Sequence, residues 1–302
     1  MWSFVSDEQA GNWRTVEISV EETFRSATRT VNGPCAVGDD GVVVGRAKNG
    51  EWGVVVEDGP GADNRALHAV AATDDGKRVW FCGANGALGY YDLEKGERSN
   101  ESEPLGQTDR FRSIAVVGKR GSEKLIVGSN AGTVVSAVAD GEEVRFGAMA
   151  RPAGATAING AVGTADGVGY VLDESGDVFR TTAEEGWRHV GVPEAETTYH
   201  ALDAANGRLY VAGGNGCVSA YDRESGKWTP YDLDSTTFYG LAVDEDVALA
   251  VGGSGSVYRW HDDDWAAADT QTGKNLHDAV LGKHPIVVGV SGTALEHTSN
   301  VW

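Results

Sequence analysis

The feature that most constrains this chain is a unit of about forty residues that recurs along its length. It is clearest at 199–232, YHALDAANGRLYVAGGNGCVSAYDRESGKWTPYD. Period-two apolar alternation and glycine punctuation predict four short strands there, named A to D: one from Tyr199, then RLYVAGG, then CVSAY, then one around Trp228. Gly213-Gly214-Asn215-Gly216 supplies the B–C turn, because Gly and Asn accept the positive φ that a tight hairpin needs.

The same A strand can be aligned at Phe24, Leu67, Phe111, Ile158, Tyr199, Phe238 and Leu276, at spacings of 43, 44, 47, 41, 39 and 38 residues. The B–C turns give an independent register: Gly38–Gly41, Gly83–Gly86, Gly128–Gly132, Asp173–Gly176, Gly213–Gly216, Gly252–Gly255 and Gly289–Gly292. A third marker opens the D strand: Trp13, Trp52, Arg98, Val144, Trp187, Trp228 and Trp265. Tryptophan suits an outer strand if its ring packs inward and its N–H stays wet. Trp13 precedes the first A strand, while the unit from Leu276 has little sequence left for a D strand.

Four strands in about forty residues is the period of a β-propeller blade. Helical repeats would need sustained 3.6-residue apolar spacing, which is absent. The expectation is an all-β, seven-bladed β-propeller of four-stranded antiparallel blades in a single domain, 1–302. The blades fall at 24–58, 67–105, 111–150, 158–193, 199–233, 238–270 and 276–302 plus 1–19, so that the N-terminal strand WRTVEIS completes the last blade. Glu94–Gln107 and His261–Asp264 read as the most open loops. Trp2–Val5 reads as one strand more than closure needs, either a fifth strand or a contact for a second molecule; a monomer and a homo-oligomer both stay open.

The VAGGNG and AVGGSG hairpins at 211–216 and 250–255, with the Tyr-Asp…Gly…Trp run at 221–228, resemble the broad superfamily of WD40-like, YVTN-like and BNR-like propellers. The likeness spans nearly the whole chain and implies architecture, without a specific functional family. WD and GH dipeptides are absent, and the kelch double glycine is hinted at only by Gly213-Gly214 and Gly252-Gly253. The Asp-box is only loosely matched at Ser6–Trp13 and Asp222–Trp228. Neither the sialidase set of three arginines with Tyr and Glu nor the Glu/Asn metal set of lactonase-type propellers is assembled.

A formal net charge of −20 argues against nonspecific nucleic-acid binding and against docking on an anionic membrane. Acids are spread along the chain, and lysine is scarce at eight against seventeen arginines, a composition that resembles salt-adapted, haloarchaeal-type proteins. Cys35, Cys82 and Cys217 lie far apart in apolar runs and form no CxxC pair, so they read as buried small hydrophobes. No stretch approaches a membrane span, and MWSFVSDEQ lacks a basic region followed by an apolar one. A cytoplasmic location is expected.

In a propeller the A strands line the central channel. Position two of each reads Arg25, His68, Arg112, Asn159, His200, Tyr239 and His277, with Gly240 as the alternative to Tyr239. This is a neutral-to-basic ring, free of carboxylates, in an acidic chain. It would attract a carboxylate, a phosphate or a partner's acidic side chain, and its histidines could act as pH-sensitive donors or bases. The bland alternative is that these polar groups simply bond to the neighbouring blade. The histidines lie on separate sectors without HxH or HxxxH spacing, so no metal is expected. His261-Asp262-Asp263-Asp264 lacks the alternating ligands of a calcium loop and reads as a solvated turn, as do Asp39-Asp40 and Asp74-Asp75. No nucleophile elbow, catalytic triad or phosphate loop is present.

The leading expectation is a noncatalytic binding or scaffold propeller that offers its channel mouth to a protein or a small anionic ligand, without a cofactor. A lyase or hydrolase using His68, His200 or His277 is the alternative, conceivable by analogy with streptogramin-lyase-like propellers. A structural role through Trp2–Val5 or Asn300–Trp302 is the third.

Overall fold

The computed structural model describes residues 13–47, 49–182, 185–191, 197–233, 235–261 and 264–298. Phe24, Leu67, Phe111, Ile158, Tyr199, Phe238 and Leu276 each open an A strand and are completely buried. Those strands are Phe24–Thr30, Leu67–Ala72, Phe111–Val117, Ile158–Gly163, Tyr199–Ala205, Phe238–Val243 and Leu276–Val280. Each begins a four-stranded antiparallel sheet in the order A-B-C-D, and the seven sheets form a ring. Full burial of one large side chain contributes about 1.5–3 kcal/mol, so the repeat places one strong anchor per blade where the sheets converge.

The last sheet takes its outer strand from the other end of the chain. Trp13–Thr15 pairs antiparallel with Ala294–His297, with Arg14 opposite Glu296. The Val16 N–H extends the pairing by donating to the Ala294 carbonyl at 2.9 Å. Ring closure by the N-terminal strand is therefore as the repeat arithmetic requires. Glu296, 2% exposed, is held by Arg14 of the closing strand at 2.6 Å and by Arg46 of the first blade. Burial works against its charge, but these two arginines keep its carboxyl below the usual range.

The core is distributed between neighbouring blades. Trp80, Leu88 and Tyr90 of the second blade pack on Phe111, Ile114 and Leu125 of the third. Tyr210, Ala212 and Val218 of the fifth meet Phe238, Leu241 and Trp265 in the sixth. The second–third junction also contains charge: Arg78, 1% exposed, bonds Glu123 at 2.8 Å, and the Trp80 indole donates to the same carboxylate oxygen at 3.0 Å. Arg78 lies over the Tyr90 ring at 4.2 Å, and Asp92 joins it to Arg120.

Two expectations are corrected, and one alternative is closed. The Trp52, Trp228 and Trp265 indole N–H groups do not stay wet; they are buried without a hydrogen-bond partner, and the Trp228 and Trp265 rings pack at tilts of 42° and 59° against Tyr221 and Trp260. Glu94–Gln107 is not an open loop, since it holds the D strand Glu97–Asn100 and a 3-10 turn at Pro104–Gly106. In the sixth blade Tyr239, not Gly240, takes the second position. A Cβ on Gly240 would lie 2.5 Å from the His277 carbonyl of the next blade, so that site must stay bare.

The B–C turns behave as their composition predicts, with Asn85 in the left-handed region at φ 51°. Cys35, Cys82 and Cys217 are buried and free, and burial pushes the Cys35 thiol up to about 12. Trp2–Val5 and Asn300–Trp302 lie outside the described residues, as do Asp262 and Asp263. Among the described residues no helix is long and apolar enough to cross a membrane.

Candidate functional site at the channel mouth

Every A strand carries the same irregularity. Its first and third residues pair with adjacent residues of the B strand, leaving the second as the extra residue of a β-bulge. A bulge re-aims the side chain it releases. All seven bulged residues, Arg25, His68, Arg112, Asn159, His200, Tyr239 and His277, line one cavity of about 500 Å³, and all are half-buried. That volume is within the range of small-molecule clefts.

The third residues explain how the strands come so close. They are Ser26, Ala69, Ser113, Gly160, Ala201, Gly240 and Asp278, small except for the last. A Cβ on Gly160 would stand 2.7 Å from the Leu202 Cβ of the next blade. Asp278 is accommodated by bonding: its carboxylate accepts from Ser26 Oγ at 2.9 Å and the Ala27 N–H at 2.8 Å on the first blade.

Three of the seven mouth residues are tied into the scaffold. Arg25 bonds Asp39 of its own B–C turn at 2.6 Å. Asn159 donates to the Tyr199 carbonyl at 2.8 Å, and His277 Nδ1 pairs with the Phe24 carbonyl at 2.8 Å, each bridging to the next blade. Because a carbonyl can only accept, His277 Nδ1 carries the proton and Nε2 is the bare nitrogen. His68 and Arg112, by contrast, make no hydrogen bond or ion pair among the described residues.

The mouth is also divided across its diameter. Blades one to three contribute Arg25, His68 and Arg112, with exposed Arg110 on the rim beside them. Blades five to seven contribute three rings in series: His200 to Tyr239 at 5.6 Å between centroids, and Tyr239 edge-on to His277 at 5.8 Å. Asn159 of the fourth blade stands between the two halves.

Electrostatics reinforce the division. Burial, then the Arg25 and Arg110 charges, push His68 down to about 4. Burial also lowers His200, aided by Arg112, and lowers His277 against its bond to Phe24. All three imidazoles are therefore neutral near pH 7, and the positive charge of the ring belongs to the arginines. Of the two in the ring, Arg25 is neutralised by Asp39, leaving Arg112 as the uncompensated one.

Reading position two alone missed three carboxylates in the same cavity, Asp203, Asp244 and Asp278. Asp203, fifth in its A strand, accepts from the Val243 N–H of the next blade at 2.8 Å, and burial pushes it up to about 7. Burial likewise pushes Asp278 up to about 6. The signal was available: LHDAV puts an acid where six other A strands have Gly, Ala or Ser. Among the described residues no three His, Cys, Asp or Glu side chains converge as metal ligands do.

No protein-family model matches this sequence, and none of the curated proteins does so significantly. Solved structures do resemble it. A virginiamycin B lyase from Staphylococcus aureus superposes with a TM-score of 0.79 at 12% identity, covering 94% of this chain and 98% of that one. YCF48 bound to D1 peptide gives 0.74 at 15% identity, covering 96% and 97%. The WD40 propeller domain of Doa1 gives 0.74 at 13% identity, covering 95% of each. These likenesses establish a seven-bladed propeller fold and nothing narrower.

Proposed function

We propose that this chain is a binding propeller whose channel mouth seats an anionic group, carried by a small molecule or by a protein partner. The observation that carries the reading is Arg112: half-buried, lining the cavity, and without a counter-ion among the described residues, while Arg25 beside it is neutralised. A guanidinium in a partly dry concavity favours a bidentate carboxylate or phosphate, because both partners are already partly desolvated and Arg presents a planar pair of donors. Neutral His68 adds a hydrogen-bond donor without adding charge. A peptide-bound neighbour such as YCF48 supports a protein or peptide as the carrier of that anion. The test is titration calorimetry with acetate, phosphate and an acidic peptide against wild type and Arg112→Gln. Unchanged affinities in the variant would remove the reading.

One observation favours an acid–base enzyme as the second reading. Of the three mouth histidines, only His277 has its tautomer fixed by a backbone carbonyl, with Nε2 bare and the ring braced by Tyr239. A positioned neutral imidazole is a competent general base. A similar propeller is a lyase, and a histidine-to-alanine form of it is described as catalytically inactive with quinupristin. Turnover of a lactone or ester panel that disappears in His277→Ala but persists in His68→Ala would establish this reading; no turnover alongside a bound anion would set it aside.

A further inference from the structure

We propose that the mouth takes an amphipathic anion, an aromatic carboxylate or a peptide segment that pairs an acid with an aromatic side chain, held acid to Arg112 and ring to Tyr239. This rests on the reading of the mouth as an anion site and adds the ligand's second half. The geometry behind it is the division of the cavity. Blades three and six lie nearly opposite each other in a ring of seven, so Arg112 and Tyr239 face one another across the opening.

The far wall is built for a flat group. Tyr239 is flanked by His200 and His277 at 5.6 and 5.8 Å, close enough for the three rings to form a continuous shelf. The tilt of 48° on one side and 88° on the other leaves ring edges and faces turned in different directions, which suits edge-to-face as well as stacked contact. The flanking imidazoles are neutral, since burial lowers both. They offer π surface with no charge to repel a partner or to bind the acid in the wrong orientation.

The cavity floor opposes the reverse orientation. Asp203 and Asp278 line the channel beneath the ring, ahead of Asp244 and Arg29 further along their blades, so a carboxylate pushed past the mouth would meet acids first. An acid therefore gains by staying at Arg112. A ligand with only an acid would leave the shelf unused; one with only a ring would leave Arg112 unpaired in a half-dry site, which is costly.

Phenylacetate and 3-phenylpropionate, with propionate and benzyl alcohol as half-ligands, test this in calorimetric or NMR titration of the full chain. The aromatic acids should bind about fivefold or more tighter than propionate, the gain expected of one aromatic contact. Arg112→Gln should weaken the aromatic acids at least about tenfold, as loss of a charged hydrogen-bonded pair does. Tyr239→Leu should erase the preference over propionate, and Tyr239→Phe should restore it, with melting curves confirming that each variant folds. Equal binding of propionate and the aromatic acids overturns the amphipathic ligand while the anion site stands. Equal binding of benzyl alcohol and the acids, no effect of Arg112→Gln, or no binding of any probe overturns both.

Discussion

The two halves of the channel mouth are built from the same repeat yet do opposite things. Blades one to three set arginines and a bare histidine around the opening, while blades five to seven set three contacting rings. The scaffold behind them differs in the same sense. Behind the cationic half, blades two and three are joined by the buried Arg78–Glu123 pair, with Asp92 and Arg120 beyond it. Blades five to seven are joined by apolar packing through Phe238, Leu249 and Leu276. A propeller can thus vary its junctions one by one, because each blade contacts only its neighbours and the second residue of the A strand is released from the pairing ladder.

The largest effect should come from breaking the ionic junction. Glu123→Ala removes the acceptor that Arg78 and the Trp80 N–H share, leaving Arg78 only its longer contacts to Asp92 and the Gly141 carbonyl, and should cost about 3–5 kcal/mol in denaturant unfolding. A loss under about 1 kcal/mol would mean that the pair behaves like a surface ion pair, and the contrast between the halves would lose its energetic side. Next comes affinity. Arg112→Gln should weaken acetate or phosphate at least about tenfold, whereas Arg25→Gln should change it by no more than about threefold, because Asp39 already neutralises Arg25. Equal effects from both would erase the distinction between tied and untied residues.

A third, smaller effect concerns pH. Asp203 at about 7 and Asp278 at about 6 are neutral in acid and ionise as pH rises, while His68 at about 4 is already neutral above pH 5. Arg25, Arg29 and Arg112 line the same cavity, and Asp244 stands beside Asp203. Anion affinity should therefore fall from pH 5 to pH 8, by about threefold to tenfold at low ionic strength for charges near 10 Å. Asp203→Asn should flatten the profile; a rise in affinity with pH would reverse the assignment. The same raised carboxyls make folding more favourable below the ordinary carboxylate range near 4, a contribution lost as pH rises through 6 and 7.

The smallest expected effect is that of salt on the fold. With a net charge of −20 spread over the surface, added NaCl should raise the melting temperature by a few degrees through screening. The Glu123→Ala defect should persist at every salt concentration, because a buried pair is poorly screened.

Blade number, strand register and ring closure were legible in the residues because they rest on local rules. Asn85 and the glycines of the B–C turns announce positive φ, the buried anchors from Phe24 to Leu276 recur at one period, and Trp13 stands ahead of the first A strand with no sheet of its own. The seven mouth residues followed from that register. Their division did not, since the partners of Asn159, His277 and Asp278 belong to a neighbouring blade about forty residues away or across the closure. Arg25 and Arg112 occupy equivalent positions in equivalent strands, and only the placement of Asp39 separates a neutralised arginine from an available one. The sequence alone determined a seven-bladed ring and which side chains reach its mouth, because turn chemistry and strand alternation are short-range. Which of those side chains are spent on the scaffold and which face the cavity unpartnered was decided by contacts between blades, and these exist only once the ring has closed.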